Sequence, residues 1–235
     1  MQKLVISSFY NCLIDKEDAI PLSTMLEIEK IRNKGNLFVI NTNSFYNEVL
    51  YYNKDFPFLD YIISLNGSYI YDVKKSSCLY KKKLSKKTIN KIINIFKNNK
   101  IYFLTKDKSL TIKEINTEDE IYKIEIILNK KIDLSTLNEI EVTSSIKKKD
   151  NKIILEIVSN LTNNFIATTK LLKSEKISLE NVIVIAANEA DLELVKNIPK
   201  SYLVSNCSKN LKEFSDKKTK SNNSKGVENV LKRIS

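Results

Sequence analysis

Lys3-Leu4-Val5-Ile6-Ser7-Ser8 is an apolar run of strand length that closes on two small hydroxyl residues, the pattern of a strand buried on both faces of a parallel sheet. Two further runs share that texture, Asn36 to Thr42 (NLFVINT) and Asn181 to Ile185 (NVIVI). After the first run, Pro21 and Ser23 open a helix to about Asn33, with Leu26, Ile28 and Ile31 read as its apolar face. Gly35 stands where a left-handed C-cap is expected. A second helix is expected over Phe45 to Asn53 and a third strand over Tyr61 to Leu65. Asn66-Gly67 then makes a tight turn into Ser68 to Tyr71. Strand, helix, strand, helix, strand is the rhythm of an α/β protein with a parallel, Rossmann-like sheet. Residues 3–7, 37–41 and 181–185 are therefore expected as adjacent parallel strands.

The middle of the chain differs. Residues 81–157 hold 18 Lys, no Arg and 11 acids, and so carry +7 of the net +11. An amphipathic helix over Ser85 to Asn98, with Ile89, Ile92, Ile93 and Phe96 at helical spacing, precedes strand-like stretches at 101–105, 122–128, 140–145 and 153–158. A short helix near Ser135–Asn138 interrupts them, and the pattern reads as an antiparallel sheet covered on one face. The end returns to the first texture: helices near 164–174, 191–197, 211–214 and 226–234, with strands at 181–185 and 201–204. The organisation expected is an α/β core, 1–80 and 158–235, interrupted by an α+β cap, 81–157.

Composition narrows the chemistry. The 235 residues contain no histidine, which removes histidine bases, phosphohistidine intermediates and Ser-His or Cys-His pairs. Cys12, Cys78 and Cys207 lack CxxC spacing and suit a reducing cytosol rather than a disulfide framework, so a cytoplasmic location is expected. No run of 18 apolar residues occurs, so no membrane partner is expected. A net charge of +11 attracts polyanions, but only Arg32 and Arg233 are arginines, which disfavours nucleic acid as partner. Only three glycines remain where average usage gives about 16.

The places of those glycines, with the runs around them, resemble the haloacid dehalogenase superfamily and, within it, the Cof-like sugar-phosphate phosphatases. Residues 3–14 lie over an apolar strand followed by D-x-D-G-T-L, and Val39 to Ser44 over a strand ending T-G-R. Ser64-Leu65-Asn66-Gly67-Ser68 matches an S-N-G-A turn, and Leu155-Glu156-Ile157 the L-E-I that ends the cap. Ile183 to Leu192 lies over G-D-x-x-N-D-L, and Lys225-Gly226-Val227 over the D-G-V that opens the last helix. The resemblance implies a magnesium-dependent phosphatase with an aspartate nucleophile.

Residue by residue, the reactive groups depart from that pattern. The nucleophile position is Ser8, a neutral hydroxyl that needs a base and would form a stable phosphoester. The acid–base position is Tyr10, whose ordinary pKa of about 10 suits the role poorly. Asn164 stands where the family has a charge-neutralising lysine, with Lys170 about two helical turns on. Ala187 replaces a magnesium carboxylate and Ala190 its asparagine neighbour. Asn11, Asn43 and Ala186 replace glycines. No catalytic residue and no cofactor is expected, and magnesium only where activity persists. Asp191 is left as the single metal carboxylate, too weak alone to hold the ion. Thr42, Asn43, Asn66, Gly67 and Asn188 would line the vestigial pocket; Thr42 and Asn66-Gly67 read also as turn formers and Asp191 as a helix-start acid.

Two readings of function follow. One is a catalytically inactive relative that binds a phosphorylated small molecule or a protein partner. The other is a weak or unconventional phosphatase acting on small phosphorylated metabolites such as sugar phosphates. Lys81–Lys83 and Lys147–Lys149 read as solvated faces or as an electropositive rim at the cleft. The tyrosines at 51, 52, 69, 71 and 80 read as core or as interface residues, including a homodimer contact.

Overall fold

The computed structural model of the chain describes residues 1–54, 56–129 and 133–234. In chain order its strands are β1 (Leu4–Ser8), β2 (Leu37–Asn41), β3 (Tyr61–Ser64), β4 (Tyr69–Asp72), β5 (Ser77–Lys81), β6 (Lys100–Leu104), β7 (Ser109–Thr111), β8 (Lys123–Leu128), β9 (Val142–Lys149), β10 (Lys152–Ser159), β11 (Val182–Ala186), β12 (Ser201–Val204) and β13 (Lys218–Thr219). Its helices are α1 (Leu22–Asn33), α2 (Tyr46–Asn53), α3 (Lys86–Ile95), α4 (Asn164–Glu175), α5 (Leu192–Asn197) and α6 (Gly226–Ile234).

The strands form two sheets. The larger runs β13-β12-β11-β1-β2-β3-β4-β5, with β1 parallel to both β11 and β2, as the three apolar runs lead one to expect. Every residue of β1 and of β11 is buried, which is why those stretches carry no alternation. Beyond β3 the sheet turns antiparallel through the β3–β4 and β4–β5 pairings. Helix α1 turns differently from the sequence reading: Leu26 is solvent-facing, and Thr24, Glu27, Ile28 and Ile31 make the buried stripe. That set has the i, i+3, i+4, i+7 spacing, which apolarity alone concealed. Among the described residues no helix is long and apolar enough to cross a membrane.

The second sheet, β7-β6-β8-β10-β9, is antiparallel and takes its strands from the middle of the chain. β5 ends at Lys81 and β10 at Ser159, one and two residues past the limits expected at 80 and 157. Helix α3 ends at Ile95 rather than Asn98, and β9 begins at Val142 and runs on to Lys149. One face of this sheet packs Ile124, Ile126, Leu155 and Ile157 against Ile89, Ile92 and Phe96 in a core of its own.

The opposite face carries charge. Glu125 and Glu156 sit directly across the β8–β10 ladder, an arrangement that repels unless cations intervene. Lys123 meets Glu156 at 2.7 Å and Glu125 at 2.9 Å, and Lys147 meets them at 2.7 and 2.8 Å. Lys123 is wholly buried, and its ammonium also donates to the Asn43 carbonyl at 2.9 Å, in the loop after β2. Asn66, in the turn after β3, donates to the other Glu156 oxygen at 3.2 Å. This quartet therefore bridges the two sheets, beside a small apolar contact of Leu65, Tyr69, Leu104 and Tyr122. Lys147 is thus not part of a solvated face.

Two predictions follow from these contacts. Gly67 has φ +85°, and a Cβ there would run into the Asn163 backbone, whereas Gly35 (φ +81°) has open space. Gly67→Ala should lower unfolding free energy by more than about 2 kcal/mol in urea titrations and Gly35→Ala by only about 1 kcal/mol, the left-handed cost alone. Burial pushes the Glu156 carboxyl up, but Lys123 and Lys147 outweigh it and hold it at about 2. A folded pKa below the unfolded value gives stability that is present above about pH 4.5 and lost as pH falls toward about 2. Glu156→Gln should flatten the acid limb of the stability–pH curve over that window; an unchanged limb would show that other groups set it.

Candidate functional site

The carboxyl ends of β1, β2 and β11 lie side by side, and the loops that leave them converge on Asp191, at the start of α5. Its carboxylate is fully buried. One oxygen, Oδ2, accepts from the Ser8 hydroxyl at 2.6 Å and from the backbone N–H groups of Ala187 (3.0 Å) and Asn188 (2.8 Å). The other, Oδ1, accepts from the Asn41 amide at 2.8 Å. Burial nevertheless raises the Asp191 pKa above the ordinary carboxylate value, because the four donors are neutral.

An amide lattice closes over this centre. β1 runs into a tight turn, Phe9–Leu13, in which Asn11 takes φ +60°, a conformation asparagine tolerates better than most residues. Asn11 donates to Asn188 Oδ1 at 3.0 Å, Asn188 donates to the Tyr10 carbonyl at 2.9 Å, and Asn206 donates to the Asn11 carbonyl at 2.8 Å. The Tyr10 side chain points elsewhere, its hydroxyl donating to Glu48 at 2.9 Å, and burial with the Glu48 carboxylate raises its pKa. A phenol so held is poorly matched to general acid–base work near neutrality.

The remaining expected site residues serve the scaffold. Thr42 accepts the Ser44 N–H at 3.2 Å through its hydroxyl, as a turn former. Asn43 and Asn66 are occupied by the quartet, and Gly67 packs on the start of α4, where its carbonyl accepts from Thr162 at 2.8 Å. Asn164 donates to the Ala190 carbonyl at 2.8 Å. Lys170 is exposed on α4. Sequence reasoning missed Asn41 and Lys123. Asn41, the polar end of an apolar strand, was visible as such, whereas nothing local marks Lys123 as buried.

Magnesium, which the resemblance implies, does not fit the groups present. It needs a near-octahedral set of oxygens anchored by one or two carboxylates. Asp191 supplies one carboxylate whose oxygens face four donors, and a cation there would meet their hydrogens. Among the described residues no three Asp, Glu, Cys or His side chains gather to hold a metal. The nearby thiol of Cys12 is buried, which pushes its pKa up to about 12 and leaves it inert as a nucleophile.

Comparison with known proteins places this geometry. The sequence matches the haloacid dehalogenase-like hydrolases over residues 11–117 and 102–231. No curated protein matches it. Among solved structures, it is similar to a haloacid dehalogenase-like hydrolase from Bacillus subtilis, with TM-score 0.87, 16% identity and all of both chains covered. A phosphatase of the superfamily from Bacteroides thetaiotaomicron matches with TM-score 0.84 and 13% identity over 100% of this chain and 95% of its own. A Thermotoga maritima protein follows with TM-score 0.79 and 20% identity over 100% and 98%. At such identities the structures speak to the fold, while the sequence match spans most of the chain. The parallel sheet, its converging loops and that match together make the chain a member of the haloacid dehalogenase-like hydrolases.

Proposed function

We propose that the chain is a phosphatase relative without phosphatase activity, whose reaction centre has become a structural hub and whose role is to bind a ligand or partner. The observation that carries this reading is the saturation of Asp191 by Ser8, Asn41 and two backbone N–H groups. In an active relative, the pattern in the sequence would place carboxylates at Ser8 and Ala187, with a cation between them and Asp191. Here Ala187 contributes only its N–H, and Ser8 only a hydroxyl that donates inward. Asn164 supplies no charge to stabilise a phosphoryl group in flight.

One contact favours a different enzyme. Ser8 Oγ lies 2.6 Å from a carboxylate of raised pKa, the geometry of a hydroxyl with its general base. Ser8 is only 2% exposed, however, and Asp191 equally so. A nucleophile must reach the phosphorus atom, and a phosphoserine formed there would lack a second group to release it. The hydrogen bond is better read as solvating a buried carboxylate in place of water.

Two measurements test the proposal. The purified chain should release no 4-nitrophenol from 4-nitrophenyl phosphate above background, with or without magnesium, and 10 mM magnesium should leave its melting temperature unchanged. Magnesium-dependent release together with a rise in melting temperature would overturn the reading. In the reverse direction, Ser8→Asp combined with Ala187→Asp should lower stability without metal, because like charges then face Asp191. Magnesium should restore it: at a hundredfold excess over Kd, binding contributes about 2.7 kcal/mol, or about 5–10 °C.

A further inference from the structure

Away from Asp191, two of the tyrosines noted in the sequence, Tyr69 and Tyr71, meet Lys81, the start of the first lysine run, at one place. The β4–β5 edge of the large sheet passes beside the second sheet, and a cavity of about 400 Å³ opens between them. Its wall is aromatic. Tyr46 stacks on Tyr71 with ring centres 4.4 Å apart and on Tyr69 at 5.6 Å, and Tyr122 meets Tyr69 edge-on at 5.5 Å. Its rim is cationic, from Lys81 and Lys106. The lining includes one acid, Glu120, and that acid is already neutralised. It takes Lys81 at 2.7 Å, Lys83 at 3.3 Å and the Tyr122 hydroxyl at 2.6 Å, and these bonds hold its pKa at about 2.

The groups left over can all donate. Among the described residues Lys106 makes no hydrogen bond or ion pair, and the hydroxyls of Tyr46 and Tyr71 have no partner. Burial raises the Tyr46 pKa, so its phenol remains a donor at neutral pH. An aromatic wall, two unspent phenols and an unpaired ammonium together suit one chemistry. We infer that this cavity binds an anion that carries a planar aromatic ring, the ring against the tyrosine stack and the acidic group on Lys106. None of these residues touches the Asp191 centre, so the inference stands whether or not that centre is active.

The test uses adenosine monophosphate as probe on the full chain, by titration calorimetry at low salt. Saturable binding is expected with Kd on the order of 100 μM, at least tenfold tighter than inorganic phosphate. Lys106→Ala should weaken it fivefold or more, and Tyr46→Phe with Tyr71→Phe, which keep the rings, two- to fivefold. Lys209→Ala, the same charge change elsewhere on the surface, should leave it unchanged. A second readout needs no variant: Cys78 is exposed and lines the cavity while Cys12 and Cys207 are buried, so the probe should slow alkylation of Cys78 by iodoacetamide. No heat up to 5 mM probe, equal affinity for inorganic phosphate, equal affinity after Lys106→Ala, or unslowed alkylation would each overturn the inference.

Discussion

A buried carboxylate met by four neutral donors constrains this fold more than any other single group. Taking an ionised carboxyl out of water is costly unless every lone pair finds a donor. Asp191 draws its donors from the ends of β1 and β2 and from the loop after β11. Three neighbouring strands and the start of α5 are consequently fixed to one another at the end of the sheet where an α/β protein ordinarily keeps its ligand. Neutral dipoles from Ser8, Asn41 and two backbone N–H groups tie the loops together there. The left-handed Asn11 and its amide partners extend this arrangement across the loops after β1 and β11.

The second sheet is held to the first by a different kind of contact. Two glutamates and two lysines balance in charge, and the buried Lys123 spends its last hydrogen bond on a backbone carbonyl of the other sheet. Ion pairs of this type add little net stability over an apolar isostere, yet breaking one partner is strongly unfavourable. Their contribution is therefore to relative placement: a carbonyl of the β2 loop and an amide of the β3 turn must both be in register. Apolar packing alone, as at Leu65 and Tyr122, tolerates sliding; directed hydrogen bonds to a buried ammonium do not.

The parallel core was legible because its strands are apolar without alternation, and Leu4, Ile6, Phe38 and Val184 are indeed at its centre. The second sheet was legible as alternating segments, Ile124 and Ile126 facing inward. What alternation does not say is whether the outer face meets water or another element. Lys123 and Glu125 therefore look like an ordinary solvated edge in sequence, and only the tertiary arrangement buries them. Helix α1 failed in a related way, since a buried glutamate and threonine do not register as core. At the candidate site the residue types were readable and their partners were not. That Ser8 donates to Asp191, while Tyr10 turns away to Glu48, depends on loop paths that no local pattern encodes.

Asn66-Gly67 is the dipeptide in which asparagine ages fastest, because the unhindered glycine nitrogen readily attacks the side-chain carbonyl carbon and expels ammonia. In this chain the Asn66 amide is tied to Glu156, its backbone is fixed at φ +56°, and its carbonyl oxygen is buried. The ring closure needs that side chain to swing back onto the next nitrogen, so the fold protects it for as long as the two sheets stay together. Loss of ammonia from an opened or unfolded chain would leave a cyclic imide, and its hydrolysis a carboxylate, on aspartate or isoaspartate, in place of the amide that donates to Glu156. Chemical ageing at this one turn would then act as a ratchet, since a chain that has aged while open can no longer close its seam as before.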